Sequence, residues 1–313
     1  MKLELGTMTF GPQVNPHDSK LILNLFLDAG YRELDSAYVY NNGDTEKILG
    51  DILPSDNASF NLATKANPRI TGKLDKSSVI NQLNESLIRF KKDSIDILYF
   101  HFPDPKTPIE EPLQAFYELY QQGKVKELGL SNFPAWKVVE IYHICKDRGW
   151  PVPTVYQGLY NGLSRKVENE LFPAIRNLGM RFYAFNPLAG GLLSGKYNNF
   201  DDTPVEGRFT LRPNYQDRYW KKTFFNALKT LTVECDKFNI PIAEAAYRWL
   251  AFHSQLNESL GDGIIIGASK VKQVEMNIKA LENGFLPESI VNSFEIAWDE
   301  AKADCPDYFK YIT

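Results

Sequence analysis

Cysteine is scarce and scattered. The three, Cys145, Cys235 and Cys305, include no CxxC pair, so neither a disulfide framework nor a thiolate zinc site is expected. The four histidines, His17, His101, His143 and His253, are too few for a His-rich metal site, and no metal is expected. A strong charge of either sign is also lacking: the formal net charge is -4, which argues against a dedicated nucleic-acid surface. No uninterrupted apolar run is long enough to span a bilayer, and the start, Met1-Lys2-Leu3-Glu4-Leu5-Gly6, lacks the apolar core of a signal peptide. The expectation is a soluble, cytoplasmic protein with neither membrane nor nucleic acid as partner. Linkers, low-complexity tracts and charge blocks are absent too, so residues 1–313 read as a single domain.

What is present is enough apolar material for a large core, at 43% of residues against 24% charged. Strand candidates are Leu3–Met8, Glu33–Asp35, Phe60–Ala66, Ser94–His101, Val125–Ser131, Thr154–Gln157, Arg181–Asn186 and Gly263–Gly267. Helix-like segments lie between them. Asp75–Phe90 carries Val79, Leu83, Leu87 and Phe90 at helical spacing, and Pro134–Arg148 opens on proline and stops near Gly149. Most strand starts recur roughly every 27 to 34 residues, the period of a strand–loop–helix unit. The interval from Arg181 to Gly263 is far longer, so an insertion follows the seventh strand. Within it, Asn198–Tyr219 reads as a long irregular loop; after the eighth strand, Pro287–Ala303 reads as a final helix outside the barrel.

Eight strands alternating with helices predict a closed (β/α)8 barrel. A doubly wound sheet would place a glycine fingerprint straight after its first strand, where this chain has Gly11-Pro12-Gln13. The one G-x-G, Gly261-Asp262-Gly263, precedes a strand and reads as a tight turn.

Catalytic side chains of such a barrel come from the C-terminal ends of its strands. Those positions hold Asp35, Tyr40 just beyond it, Lys65 and His101. Each has an ordinary reading: a helix cap, a packing ring, a surface cation, a satisfied core histidine. Together they suit one chemistry. A tyrosine is a weak acid, and a nearby lysine cation lowers its pKa. Asp35 would hold Lys65 in place, and His101 would hold a substrate oxygen. That set protonates an alkoxide as a carbonyl accepts hydride, which only a cofactor supplies. After the eighth strand, Gly267-Ala268-Ser269-Lys270 opens a helix-like stretch where barrels commonly bind phosphate; a plain Ser cap is the alternative. Asn186 to Gly195 forms a small-residue loop whose glycines permit close backbone approach.

With these residues in view, the chain resembles the aldo-keto reductases over essentially its whole length. The resemblance rests on Asp35, Tyr40, Lys65 and His101, on Gly129-Leu130-Ser131-Asn132-Phe133, on Gln157, and on Gly267-Ala268-Ser269 with Gln273 and Asn277. Leu5-Gly6-Thr7-Met8, Ala63 to Pro68, Pro153 to Gly158 and Cys305 to Phe309 look like the aflatoxin-aldehyde (succinic semialdehyde) reductase branch.

The resemblance implies NADPH-dependent reduction of aldehydes or dicarbonyls, a detoxifying role and a homodimer. Tyr40 would be the acid, with Lys65, Asp35 and His101 as its companions, and Asp35 would also touch the cofactor. Ser131, Asn132 and Gln157 would bind the carboxamide of the nicotinamide. Asn186, Leu188, Gly190, Lys196 and Arg208 would meet the pyrophosphate side, and Ser269, Gln273 and Asn277 the 2′-phosphate end; Gly267 would also touch the cofactor. His101, Arg218 and Lys310 would contact substrate. Three positions depart from the pattern: Phe185 for a stacking tyrosine, Met276 for a polar residue, and Lys310 for an arginine.

Two rival readings remain at this point. Potassium-channel β-subunits resemble this family, so an NADPH-binding regulatory barrel is the alternative, which the branch-like tail and the short segment before Leu3 speak against. A barrel hydrolase or isomerase would call for paired carboxylates or metal ligands at the strand ends, where none stand.

Overall fold

The structure is a computed structural model that describes residues 1–55, 59–202, 204–205 and 207–310. Eight parallel strands close on themselves in chain order: β1 (Lys2–Gly6), β2 (Glu33–Asp35), β3 (Asn61–Ala66), β4 (Ile95–Phe100), β5 (Val125–Ser131), β6 (Pro153–Leu159), β7 (Arg181–Phe185) and β8 (Gly263–Gly267). Closure is made by β1 on β8, with Lys2 opposite Gly263 and Gly6 opposite Gly267. The expected (β/α)8 barrel is what forms, with every strand in its expected place and ends displaced by a residue or two.

The side-chain alternation of a strand explains the two-layered core. Leu62, Leu98, Phe100, Tyr156, Phe182 and Ile264 join the large cluster beneath the helices. Their sequence neighbours Ala63, Ile97, Tyr99, Val155, Tyr183 and Ile265 form a second, separate cluster, which fills the barrel lumen.

Local signals set the helix ends. The Asp75 side chain caps helix Lys76–Phe90 by accepting from Ser78 N at 2.8 Å, and Lys91 ends it in the left-handed region at φ 55°. The turn before β8 is the tight one expected, with Gly261 at φ 81°.

The insertion after β7 differs from its expected form. Asn198–Tyr219 is not simply irregular: Arg208–Leu211 and Pro213–Tyr219 are short helices within it, while Thr203 and Glu206 lie outside the described residues. Helices Lys222–Lys237 and Ile242–Phe252 follow, and the final helix, Glu288–Ala301, packs on the first of these. The tail then turns back to the strand ends. Tyr308 O–H bonds the Glu170 carboxylate and accepts from Ala135 N at 3.0 Å, and Lys310 N donates to the Asn132 carbonyl at 3.2 Å. No described helix is long and apolar enough to cross a membrane.

Candidate active site

The C-terminal ends of β2, β3 and β4 bring the four expected residues together. Lys65 and Asp35 form a buried ion pair, with side chains 0% and 3% exposed. Lys65 Nζ also donates to the Ser36 carbonyl at 2.7 Å, and Gln157 Nε2 donates to Asp35 Oδ1 at 2.9 Å. Tyr40 O–H donates to the other carboxylate oxygen, Oδ2, at 3.3 Å. The His101 ring stands edge-on to Tyr40 with centroids 6.4 Å apart. An isolated pair of charges this deep costs several kcal/mol of desolvation, roughly, so its hydrogen-bonded completion is what makes it tolerable.

One expectation is corrected here. Lys65 was to draw the Tyr40 pKa down, yet Tyr40 is pushed well above the usual tyrosine range, by burial first and then by the negative charge of Asp35. The geometry explains this. The ammonium is committed to Asp35 and Ser36, and it lies 5.0 Å from the centroid of the Tyr40 ring, without a bond to its hydroxyl. Tyr40 therefore keeps its proton through neutral pH. Tyr38, the residue most easily confused with it, lies under the Arg89 guanidinium at 4.7 Å and outside the cavity lining.

His101 is held well below the usual histidine value by burial and by the cations Lys65 and Arg69, so its ring is neutral. Its tautomer follows from a residue the sequence reading quoted only within a longer stretch, Asn67. Asn67 Oδ1 accepts from Arg69 N at 2.9 Å, which turns Nδ2 toward His101 Nδ1 at 3.0 Å. Nδ2 can only donate, so Nδ1 accepts and the ring proton sits on Nε2. Gln82 holds Asn67 in turn: Oε1 accepts from Asn67 N at 2.8 Å and Nε2 donates to its carbonyl at 3.2 Å.

Above this cluster opens a cavity of about 350 Å³, lined by Asp35, Tyr40, His101, Ser131, Asn132, Gln157, Phe185, Asn186, Arg208, Arg218 and Gly267 among others. Asn132 and Asn186 hold left-handed backbone at φ 63° and 57°, a conformation asparagine tolerates better than most side chains. Asn132 Nδ2 donates to the His101 carbonyl at 2.8 Å, which ties β5 to β4 at the rim.

A second cavity of about 330 Å³ shares Thr9, Asn186, Pro187, Arg208 and Gly267 with the first, so the two adjoin. Leu188, Gly190, Lys196, Ser269, Gln273 and Asn277 line it, as does Met276, which is 54% exposed. Gly190 is at φ 72°, and a Cβ there would come within 3.0 Å of the Tyr215 and Tyr219 rings, so the close turn requires glycine. Gln273 Oε1 accepts from Ser269 N at 2.8 Å, Ser269 Oγ at 3.2 Å and Lys270 N at 3.2 Å, which orders the start of helix Val271–Glu282.

One expected site residue falls outside the cavity, and three others line it unexpectedly. The Lys310 side chain is exposed and outside the cavity lining, its backbone alone meeting the rim. Arg69, Arg212 and Phe102 line the cavity and were not singled out. The position of Arg69, directly after Asn67-Pro68 at a strand end, was the available signal. Among the described residues no group of three or more His, Cys, Asp or Glu could hold a metal ion.

A parallel barrel with a buried Asp–Lys pair, a protonated tyrosine and a neutral histidine at one cavity floor has the layout of an enzyme for small oxygen-bearing molecules. The comparisons with known proteins carry this further. Residues 2–299 match the Aldo/keto reductase family, to which the chain belongs. It is 43% identical to aflatoxin B1 aldehyde reductase member 2 of Rattus norvegicus, over 98% of this chain and 87% of that protein. It is 42% identical to aldo-keto reductase family 7 member A3 of Homo sapiens, over 98% and 96%, and 29% identical to aldo-keto reductase pigE of Monascus ruber, over 93% and 90%. The chain is an oxidoreductase acting on carbonyl groups.

Proposed function

We propose that the protein reduces aldehydes and dicarbonyls to alcohols with NADPH, with Tyr40 as the proton donor, and that its substrates are of the aflatoxin-dialdehyde or succinic-semialdehyde type. The observation that carries this is the convergence of Tyr40, His101 and the Asp35–Lys65 pair on one cavity that adjoins a second, glycine-walled one.

The donor set of the paired cavities fits a dinucleotide. Ser131, Asn132 and Gln157 offer amide and hydroxyl partners to a carboxamide, and Phe185 a flat ring beside them. Gly190, Gly191, Lys196 and Arg208 suit a pyrophosphate, with Ser269, Gln273 and Asn277 at the far end for a 2′-phosphate. The nicotinamide cofactor supplies the hydride.

The chain's own residues do the rest. His101 Nε2–H donates to the carbonyl oxygen and orients it. Tyr40 O–H gives its proton to that oxygen as negative charge builds there, an alkoxide being a far stronger base than a phenolate. Its raised pKa keeps the proton in place until then. Lys65 balances the Asp35 carboxylate, so the tyrosine does not face a lone buried negative charge. A cytoplasmic homodimer is part of the same proposal.

The test follows NADPH absorbance with 4-nitrobenzaldehyde and with succinic semialdehyde, and NADH in parallel. Turnover with a clear NADPH preference is expected. Tight NADPH binding with no turnover of either aldehyde would overturn the reductase reading in favour of a regulatory barrel.

A further inference from the structure

The cavity carries more positive charge than the chemistry at its floor uses. Among the described residues Asp35 is the one carboxylate in the lining, and Lys65 already balances it, yet Arg69, Arg208, Arg212 and Arg218 line the same space. Arg208 also lines the neighbouring cavity and belongs with the nucleotide, while Arg212 Nη2 donates to Asn41 Oδ1 at 3.4 Å.

Arg69 and Arg218 remain. Neither has an ion pair or a side-chain hydrogen bond among the described residues, and each meets only a ring. The Arg69 guanidinium is 4.4 Å from the Phe102 centroid, and that of Arg218 is 5.6 Å from the Tyr215 centroid. A cation–π contact leaves the N–H donors of a guanidinium open to an anion. Partial burial, and then the charge of Arg218, draw Arg69 below the usual arginine value, so the two cations oppose one another. The fold gains nothing from that repulsion; an anion between them would relieve it.

Arg69 is also tied to the reacting centre. Its backbone N–H is held by the Asn67 side chain that orients His101, and Phe102, on which it stacks, itself stacks on the His101 ring at 4.8 Å. An anion held by Arg69 therefore stands at a set distance from the carbonyl held by His101.

We propose that Arg69 and Arg218 form a two-guanidinium subsite for a doubly charged phosphate monoester on the aldehyde substrate, and that Arg69 determines this specificity. It rests on the reductase reading above. A phosphate monoester has three terminal oxygens and can face two guanidinium forks at once, whereas a lone carboxylate satisfies one fork and leaves the second cation unbalanced.

The test is a ring-matched series with NADPH: benzaldehyde, 4-carboxybenzaldehyde and 4-formylphenyl phosphate. kcat/KM is expected to rise along the series. The phosphate-to-benzaldehyde ratio should fall about tenfold in Arg69→Gln, the scale of one charge-assisted hydrogen bond. Arg69→Lys should fall between, keeping charge and losing the fork. A carboxylate preferred over the phosphate in the wild type, or a ratio equal in wild type and Arg69→Gln, would overturn the subsite. The Arg69 side chain makes no hydrogen bond or ion pair among the described residues, so its loss leaves the fold in place.

Binding of phenyl phosphate by calorimetry gives a readout that does not need turnover. Affinity about tenfold weaker in Arg69→Gln supports the subsite. Equal affinities, or displacement of phenyl phosphate by NADPH, sink it. Failure of the reductase reading would show separately, as no turnover even of benzaldehyde.

Discussion

At the lower end of the barrel, Asp262 is wholly buried and accepts four bonds. Phe182 N and Arg176 Nη1 reach Oδ1 at 2.7 and 2.9 Å, while Asn257 N at 2.8 Å and Arg176 Nη2 reach Oδ2. At the upper rim, Asp35 is just as deep and accepts from Lys65, Gln157 and Tyr40. The number of bonds scarcely differs; the partners do. Those of Asp262 are backbone amides and one arginine, groups with no proton to give. Those of Asp35 include a tyrosine hydroxyl and an amide that line a cavity. A buried charge thus marks a site only where its partners have somewhere further to reach.

The largest expected effects set the two ends against each other. Tyr40→Phe removes one hydroxyl at nearly constant volume, so stability and NADPH binding should hold while turnover falls about 10²- to 10⁴-fold. Steady-state kinetics beside NADPH titration checks this. Asp262→Asn should do the reverse. It leaves Arg176 without its counter-charge and an amide N–H without its acceptor, a loss of about 3 kcal/mol or more in urea denaturation. The kcat of the folded enzyme should stay near wild type. A large drop in kcat for Asp262→Asn would break the comparison, since the lower end would then be coupled to the chemistry.

The difference between the ends also governed what the sequence could tell. Strand-end positions follow from counting strands, so Asp35, Lys65 and His101 were legible as a convergent set, and the barrel with them. The Tyr40 environment was not, because the sign of a pKa shift depends on where an ammonium is committed, and Lys65 is spent on Asp35. Asn67 and Arg69 went unremarked for another reason. Their role lies in which amide atom faces which ring, and no spacing rule encodes that. Glu4 is similar: it is buried in the lumen with Oε2 unpartnered among the described residues, and burial, then the charge of Asp35, push its carboxyl well up. Nothing in Leu3-Glu4-Leu5 distinguishes it from a surface glutamate. Lys310 erred the other way, since a tail's backbone can dock at Asn132 while its side chain points elsewhere.

A smaller effect sharpens the account of the rim itself. Asn67→Asp keeps an oxygen for Arg69 N but offers His101 Nδ1 an acceptor in place of a donor. The ring proton should move to Nδ1, baring Nε2 toward the carbonyl, with kcat/KM down about a hundredfold, the lower end of the range for a lost acid–base contact. The pH profile separates this from a loosened loop. In the wild type His101 stays neutral as pH falls through about 6.5, the usual histidine value, so the reduction rate holds level there. A carboxylate beside the ring raises its pKa, and the variant should show a new titration as the pH falls. A variant profile parallel to wild type would mean that Asn67 only shapes the backbone.

The smallest effect expected is at the far end of the second cavity. Ser269 Oγ donates to Gln273 Oε1 at 3.2 Å, a long bond, while Ser269 N already reaches the same oxygen at 2.8 Å. Ser269→Ala therefore leaves the helix start ordered by two backbone donors and removes only the hydroxyl. If that hydroxyl serves a 2′-phosphate, NADPH affinity should weaken about threefold to tenfold, the net scale of one hydrogen bond, and NADH affinity should not change. Equal losses for both nucleotides would make Ser269 a part of the helix cap alone. The 2′-phosphate would then have to be read by Gln273, Asn277 and the cations of the loop.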